Sequence, residues 1–159
     1  MATGFFVGRI AMNIANSSQR DRQRSRWWRR VLGDLTLGER GEHAAERFLK
    51  RQGMKVIGRR MRNQLGELDL IVTDKSNVIF VEVKTRSSDS GGEPHEAIDE
   101  DKQARLTRAA LAFLKRHRLT SYPARFDVIS VNWNPGHKQP EIEHLRNAFE
   151  AVGTGQMFN

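Results

Sequence analysis

Two β-like runs, GELDLIVT at 66–73 and VIFVEVKT at 78–85, are separated by only Asp74, Lys75, Ser76 and Asn77. This pairing limits the folds open to the chain more than any other segment does. Closed about Lys75 and Ser76, the runs form an antiparallel hairpin in which Asp69 faces Glu82 and Glu67 faces Lys84. Opposed Cβ atoms in such a pair lie roughly 4.5–5.5 Å apart, and like charges there repel. Two carboxylates at that separation call for a divalent cation or a shared proton. Both faces of the hairpin are apolar: Leu68, Leu70, Ile79, Val81 and Val83 point one way, Ile71 and Phe80 the other. A sheet covered on both sides follows.

The chain has 159 residues, enough for one domain with a real core. Its charge is uneven. Residues 1–33 carry seven arginines against one aspartate, so most of the formal +8 sits there. We read 1–33 as a basic arm and 34–159 as the folded domain. The arm closes in QRDRQRSRWWRR, where Arg24, Arg26, Arg29 and Arg30 would meet phosphates and Trp27 and Trp28 would stack on bases. A solvated tail is the plainer reading of such a block. A pI near 10.6 favours polyanionic partners, nucleic acid before an anionic membrane. There is no cysteine, hence no disulfide frame, thiolate nucleophile or Cys-rich zinc site, and a reducing cytoplasm fits. The apolar GFFVGRIAM lacks the features of a signal peptide, and no stretch reads as a membrane span.

Around the hairpin the pattern is helix, three strands, helix, strand. Thr36 and Glu39 have capping-box spacing, and Ala44, Ala45, Phe48 and Leu49 follow at helical spacing until Gly53. Lys55–Met61 reads as a first strand, Asp99–His117 as a second helix burying Leu106, Ala109, Ala110, Phe113 and Leu114, and Arg125–Trp133 as a further strand. Residues 142–152 close with a short strand or helix. SSDSGGEP, after the hairpin, is a loop bordering Lys84. The order implies one α/β layer sandwich. No histidine pair has zinc spacing; His43 and His144 read as surface or interface residues, and Asp127 as an ion-pair partner of Arg125.

Glu82-Val83-Lys84 is a Glu-x-Lys tripeptide on a buried-looking strand, with Asp69 across the ladder and Glu42 on the first helix within reach from outside the sheet. This arrangement resembles the PD-(D/E)xK nuclease superfamily. More narrowly, GERGEHAAERFLKRQG, GELDLI, FVEVKTR, the helix start from Lys102 to Leu106 and RFDV resemble the YraN family of bacterial endonuclease-like proteins, over residues 38–152. The resemblance implies a restriction-endonuclease-like three-layer α/β sandwich, a mixed central sheet flanked by helices. It also implies Asp69, Glu82 and Glu42 as ligands of Mg²⁺ or Mn²⁺, with Asp69, Glu82 and Lys84 as the catalytic set. Arg60 and Met61 depart from it, standing where the family often has Asn and an aromatic.

The activity so implied is metal-dependent hydrolysis of phosphodiester bonds in structured or branched DNA, with Lys102, Gln103 and Arg105 on phosphates and two copies acting together as in resolvase-like relatives. A nucleic-acid-binding module without turnover is the alternative. From the residues alone the hairpin has a second reading, in which Glu67 pairs with Lys84, Asp69 caps a turn and Glu82 is solvated.

Overall fold

A computed structural model describes residues 35–87 and 98–153. The basic arm, with Arg24, Arg26, Trp27, Trp28, Arg29 and Arg30, lies outside the described residues, as does most of the SSDSGGEP loop. The elements run α1 (Leu37–Arg51), β1 (Lys55–Asn63), β2 (Gly66–Thr73), β3 (Val78–Ser87), α2 (Glu100–Arg116), β4 (Ala124–Trp133) and β5 (Glu141–Phe149). The strands form one sheet in the order β1-β2-β3-β4-β5. Only β3 and β4 run parallel, because α2 carries the chain across between them. The fold is therefore the three-layer α/β sandwich expected, with a mixed five-stranded sheet. No helix among the described residues is long and apolar enough to cross a membrane.

Local chemistry sets the helix ends. The Thr36 hydroxyl accepts the Glu39 N–H at 3.3 Å while the Glu39 carboxylate accepts the Thr36 N–H at 2.9 Å, the reciprocal box expected from the sequence. Gly53, at φ 83°, turns the chain out of α1 in the left-handed region where glycine has no Cβ penalty. Asp99 caps α2, its side chain taking the Lys102 N–H at 2.7 Å.

The helices cover opposite sheet faces. Ala44, Ala45 and Leu49 of α1 pack with Leu70, Val72, Ile79, Val81, Ile129 and Val131. Leu106, Ala109, Ala110 and Phe113 of α2 pack with Leu68, Ile71, Phe80, Phe126 and Val128. Leu68 corrects the expectation, since it lies with Ile71 and Phe80 rather than with Leu70. The cause is a kink in the β1–β2 hairpin: Arg60, next to Met61 which pairs with Leu68, adopts φ 44°. That break in both strands' alternation turns Leu68 towards α2.

The last segment is strand, not helix. Asp127 anchors it, and the His144 side chain is a buried partner rather than the surface or interface residue expected. The Asp127 carboxylate takes His144 Nε2 at 2.9 Å, Arg125 Nε at 3.0 Å and the Asn147 N–H at 2.9 Å. Asn147, at φ 49°, lies where the β4–β5 register shifts, so a side chain replaces a missing strand partner. Burial alone would raise the Asp127 pKa, but these hydrogen bonds hold it below the usual carboxylate value.

Gly41 sets how closely α1 approaches β3. A Cβ there would fall 1.7 Å from Thr85 Oγ1 and 2.7 Å from Thr85 Cβ, whereas at Gly38 it would meet nothing within 4 Å. Gly41→Ala is expected to destabilise the protein by about 1–3 kcal/mol through overpacking. Gly38→Ala, in the same helix, should be neutral or mildly stabilising because it restricts only the unfolded chain. Paired denaturant melts of the two variants check this difference in sign.

Candidate active site

The β2–β3 ladder has the register read from the sequence, running from Thr73↔Val78 to Leu70↔Val81. There the ladder stops, although both strands continue. β2 stays bonded to β1 as far as Gly66, and β3 stays bonded to β4 as far as Ser87. The sheet forks, and Asp69 and Glu82 occupy the first positions past the last ladder pair. At the fork the Val83 N–H has lost its β2 carbonyl partner, and Asp69 Oδ2 accepts it at 2.9 Å.

Asp69 and Glu82 are thus brought together as expected. Burial, and after it the negative charge of Glu82, push the Asp69 carboxyl up to about 7. The Val83 hydrogen bond and the Lys102 ammonium act the other way, while the Glu42 charge adds to the rise. Glu82 is nearly buried and ion-paired to Lys102 from the first turn of α2. That pairing is a role the sequence did not disclose. Lys102 read as a phosphate contact, but its place three residues after the Asp99 cap aims it back at the sheet.

Glu42 stands on the first turns of α1, where Arg60 grips it in fork geometry, Nε to Oε2 at 2.6 Å and Nη2 to Oε1 at 3.1 Å. The same guanidinium reaches Glu39 Oε1 at 2.8 Å, and this bond, with the capping hydrogen bond from Thr36, holds the Glu39 carboxyl at about 2. The departure at position 60 therefore has a definite job: its left-handed backbone and bidentate side chain tie the kinked β1 to α1. Among the described residues no three His, Asp or Glu side chains stand as one metal-holding group, because Glu42 is turned to Arg60.

The other residues singled out from the sequence lie further along the sheet and on α2. Glu67 does not face Lys84; it pairs with Arg62 at 2.9 Å, since past the fork its ladder neighbour is on β1. Lys84 is half-buried on β3, two residues past Glu82 and in register with Ser130 of β4. Gln103 Nε2 donates to the Ile98 carbonyl at 2.7 Å and so braces the start of α2. Arg105 is exposed one turn further along the helix. Two carboxylates and Lys102 therefore meet at the fork, with Lys84 two residues further along β3. Such a group can hold a hard cation and place positive charge against a phosphodiester.

A raised carboxylate pKa has a cost that pH exposes. Between pH 4 and pH 7 the unfolded Asp69 releases a proton that the folded state keeps, so stability falls as pH rises through that window and levels off above it. Each unit crossed is worth about 1.4 kcal/mol, here shared with Glu82. Asp69→Asn keeps an acceptor for the Val83 N–H and cannot ionise. Thermal melts without divalent ions should show Asp69→Asn above wild type at pH 8 and level with it at pH 4.5; equal melting at both would remove the buried charge.

The profile of the group described as "Uncharacterised protein family UPF0102" matches residues 41–131, from Gly41 in α1 into β4. A UPF0102 protein of Rhodopirellula baltica is 38% identical over 166 residues, covering 99% of each chain. UPF0102 proteins of Desulfosudis oleivorans and Syntrophotalea carbinolica are 45% and 44% identical, covering 72% and 75% of this chain and 89% and 95% of their own. By this match and these relatives, the chain, with its forked sheet and acidic pair, belongs to family UPF0102, the YraN family, which is of PD-(D/E)xK-like nuclease type.

Proposed function

We propose that the protein is a metal-dependent endonuclease that hydrolyses phosphodiester bonds in structured or branched DNA. The observation that carries this reading is the crowding of negative charge at the fork, where burial and Glu82 lift the Asp69 carboxyl to about 7. Lys102 offsets only one of the two negative charges, and a second positive partner would relieve the other. The donors are all oxygen and hard, the set that Mg²⁺ takes and Mn²⁺ accepts. Asp69 and Glu82 would hold the ion, with Glu42 the third acid whose charge reaches the same point. A bound divalent cation supplies positive charge to the phosphate oxygens and acidifies nearby water.

The chain's own groups do the rest. Lys84, two residues past Glu82, orients the attacking water and offsets the charge that builds on phosphorus as the new P–O bond forms and the old one breaks. Lys102 neutralises Glu82 and would turn to a phosphate oxygen with substrate bound. Asp69 stays fixed by the Val83 N–H throughout, which prevents the fork from closing into a regular ladder.

A second reading has an observation of its own. Lys102 already neutralises Glu82, and Arg60 already holds Glu42. A scaffold with its acids satisfied this way can bind nucleic acid without cutting it.

One set of experiments separates the two. With Mg²⁺ or Mn²⁺ the purified protein should nick a four-way junction or flap, and Glu82→Ala or Lys84→Ala should lower the rate by about 10²-fold or more. Cleavage that survives both substitutions comes from another site or a contaminant. Either ion should raise the melting temperature of wild type and leave that of Asp69→Asn unmoved. Failure to cut across linear, single-stranded, flap and four-way substrates, together with salt-sensitive binding, selects the silent module.

A further inference from the structure

The two flanks of α1 carry opposite charge. Glu39, Glu42 and Glu46 line the flank facing β1, and each is taken up by a cation: Arg60 holds the first two, Arg59 and Lys50 the third. Arg40, Arg47 and Arg51 line the other flank, within about 40° of one another around the helix at 100° per residue. All three are exposed. Arg47 and Arg51 have no ion pair or hydrogen bond among the described residues, while Arg40 lies over the Trp133 ring, 4.3 Å from its centroid.

This flank overlooks the end of β4 and the face of β5. Arg146 of β5 bonds to Gln52 at the end of α1, 2.9 Å from Nη2 to Oε1, and adds a fourth guanidinium beside the row. Trp133 and Ile142, half-buried between them, give the surface an apolar floor. The row from Arg40 to Arg51 spans about 16 Å at 1.5 Å per residue. Its Arg40 end adjoins Gly41, which rests on Thr85, the residue after Lys84. The row therefore begins over the β3–β4 pair, on the α1 side of the sheet, three residues along β3 from Glu82.

We infer that the Arg40, Arg47 and Arg51 flank of α1, with Arg146, is a track for the phosphate backbone of a nucleic acid that passes from the α1 side of the sheet to the fork. Guanidinium groups left without acids, spaced along a straight helix and bordered by a half-exposed tryptophan, match a chain of phosphates with an adjacent base. The inference rests on the nuclease reading for the identity of its ligand, but it concerns binding and not cleavage.

Binding is measured on the full-length protein in EDTA, by fluorescence anisotropy with 20-residue duplex DNA, single-stranded DNA and RNA, across 50–200 mM salt. The test variant is Arg47→Ala with Arg51→Ala. Lys115→Ala with Arg116→Ala, two exposed cations at the end of α2, removes equal charge elsewhere. The α1 variant is expected to lose tenfold or more in affinity and to flatten the log–log salt slope on duplex by about two, with the α2 variant near wild type. Arg47→Lys with Arg51→Lys should recover most of the slope. Which probe loses most tells DNA from RNA and duplex from single strand. Equal losses in the α1 and α2 variants would overturn the track. No binding by wild type would instead overturn the nucleic-acid reading itself. Because EDTA removes the cation, the affinities are independent of whether the protein cuts.

Discussion

A single hydrogen bond, from the Val83 N–H to the Asp69 carboxylate, marks where this sheet stops being a sheet. Before it, β2 and β3 are paired in regular register; beyond it, each strand keeps only its outer partner. A buried backbone N–H must find an acceptor, and an unpaired one costs about 1–3 kcal/mol. The Asp69 side chain meets that need, and it brings a negative charge to a place water reaches poorly. Most of the site's electrostatics follow. Glu82 sits beside Asp69, Lys102 crosses from α2 to balance it, and the Asp69 carboxyl is displaced to about 7.

The rest of the molecule holds the fork open. Arg60 keeps the β1–β2 hairpin kinked, with a backbone in the left-handed region and a guanidinium tied to two acids of α1. Such a backbone costs a non-glycine residue about 1–2 kcal/mol, which the three hydrogen bonds to Glu42 and Glu39 offset. On the far side of the sheet, Asp127 does for β4 and β5 what Asp69 does for β3, taking a strand N–H with a carboxylate. The outcomes differ because Asp127 has Arg125 and His144 as close partners and Asp69 has a second acid. The buried Asp127 is thus pushed below its usual pKa and the half-buried Asp69 above it, and the second is where chemistry can happen.

Charge segregation on α1 extends this logic to the surface. The acids face β1 and are spent on structure, and the arginines face β5 and remain available. The same helix therefore braces the fork on one flank and exposes a row of arginines on the other.

Much of this was legible in the sequence because it depends on local spacing. The capping box at Thr36, the glycine stop at Gly53, the four-residue turn and the hairpin register each follow from residues near one another, and register delivered Asp69 to Glu82. Alternation also called for two covered faces and hence two helix layers. What sequence could not reach depends on where strands leave one another. The ladder's end at Leu70 and Val81 is a property of the whole sheet, as are the turning of Leu68 towards α2 and the pairing of Glu67 with Arg62 instead of Lys84. Lys102, Arg60 and His144 found their carboxylates across 18 or 20 positions or from a neighbouring strand, at distances no periodicity encodes. Sequence by itself determined which residues can share a strand or a helix face, because that is fixed by repeats of two and 3.6 residues. Only the tertiary structure decided which charges are buried against which, because that depends on how far β2 swings from β3 and on which helix fills the gap.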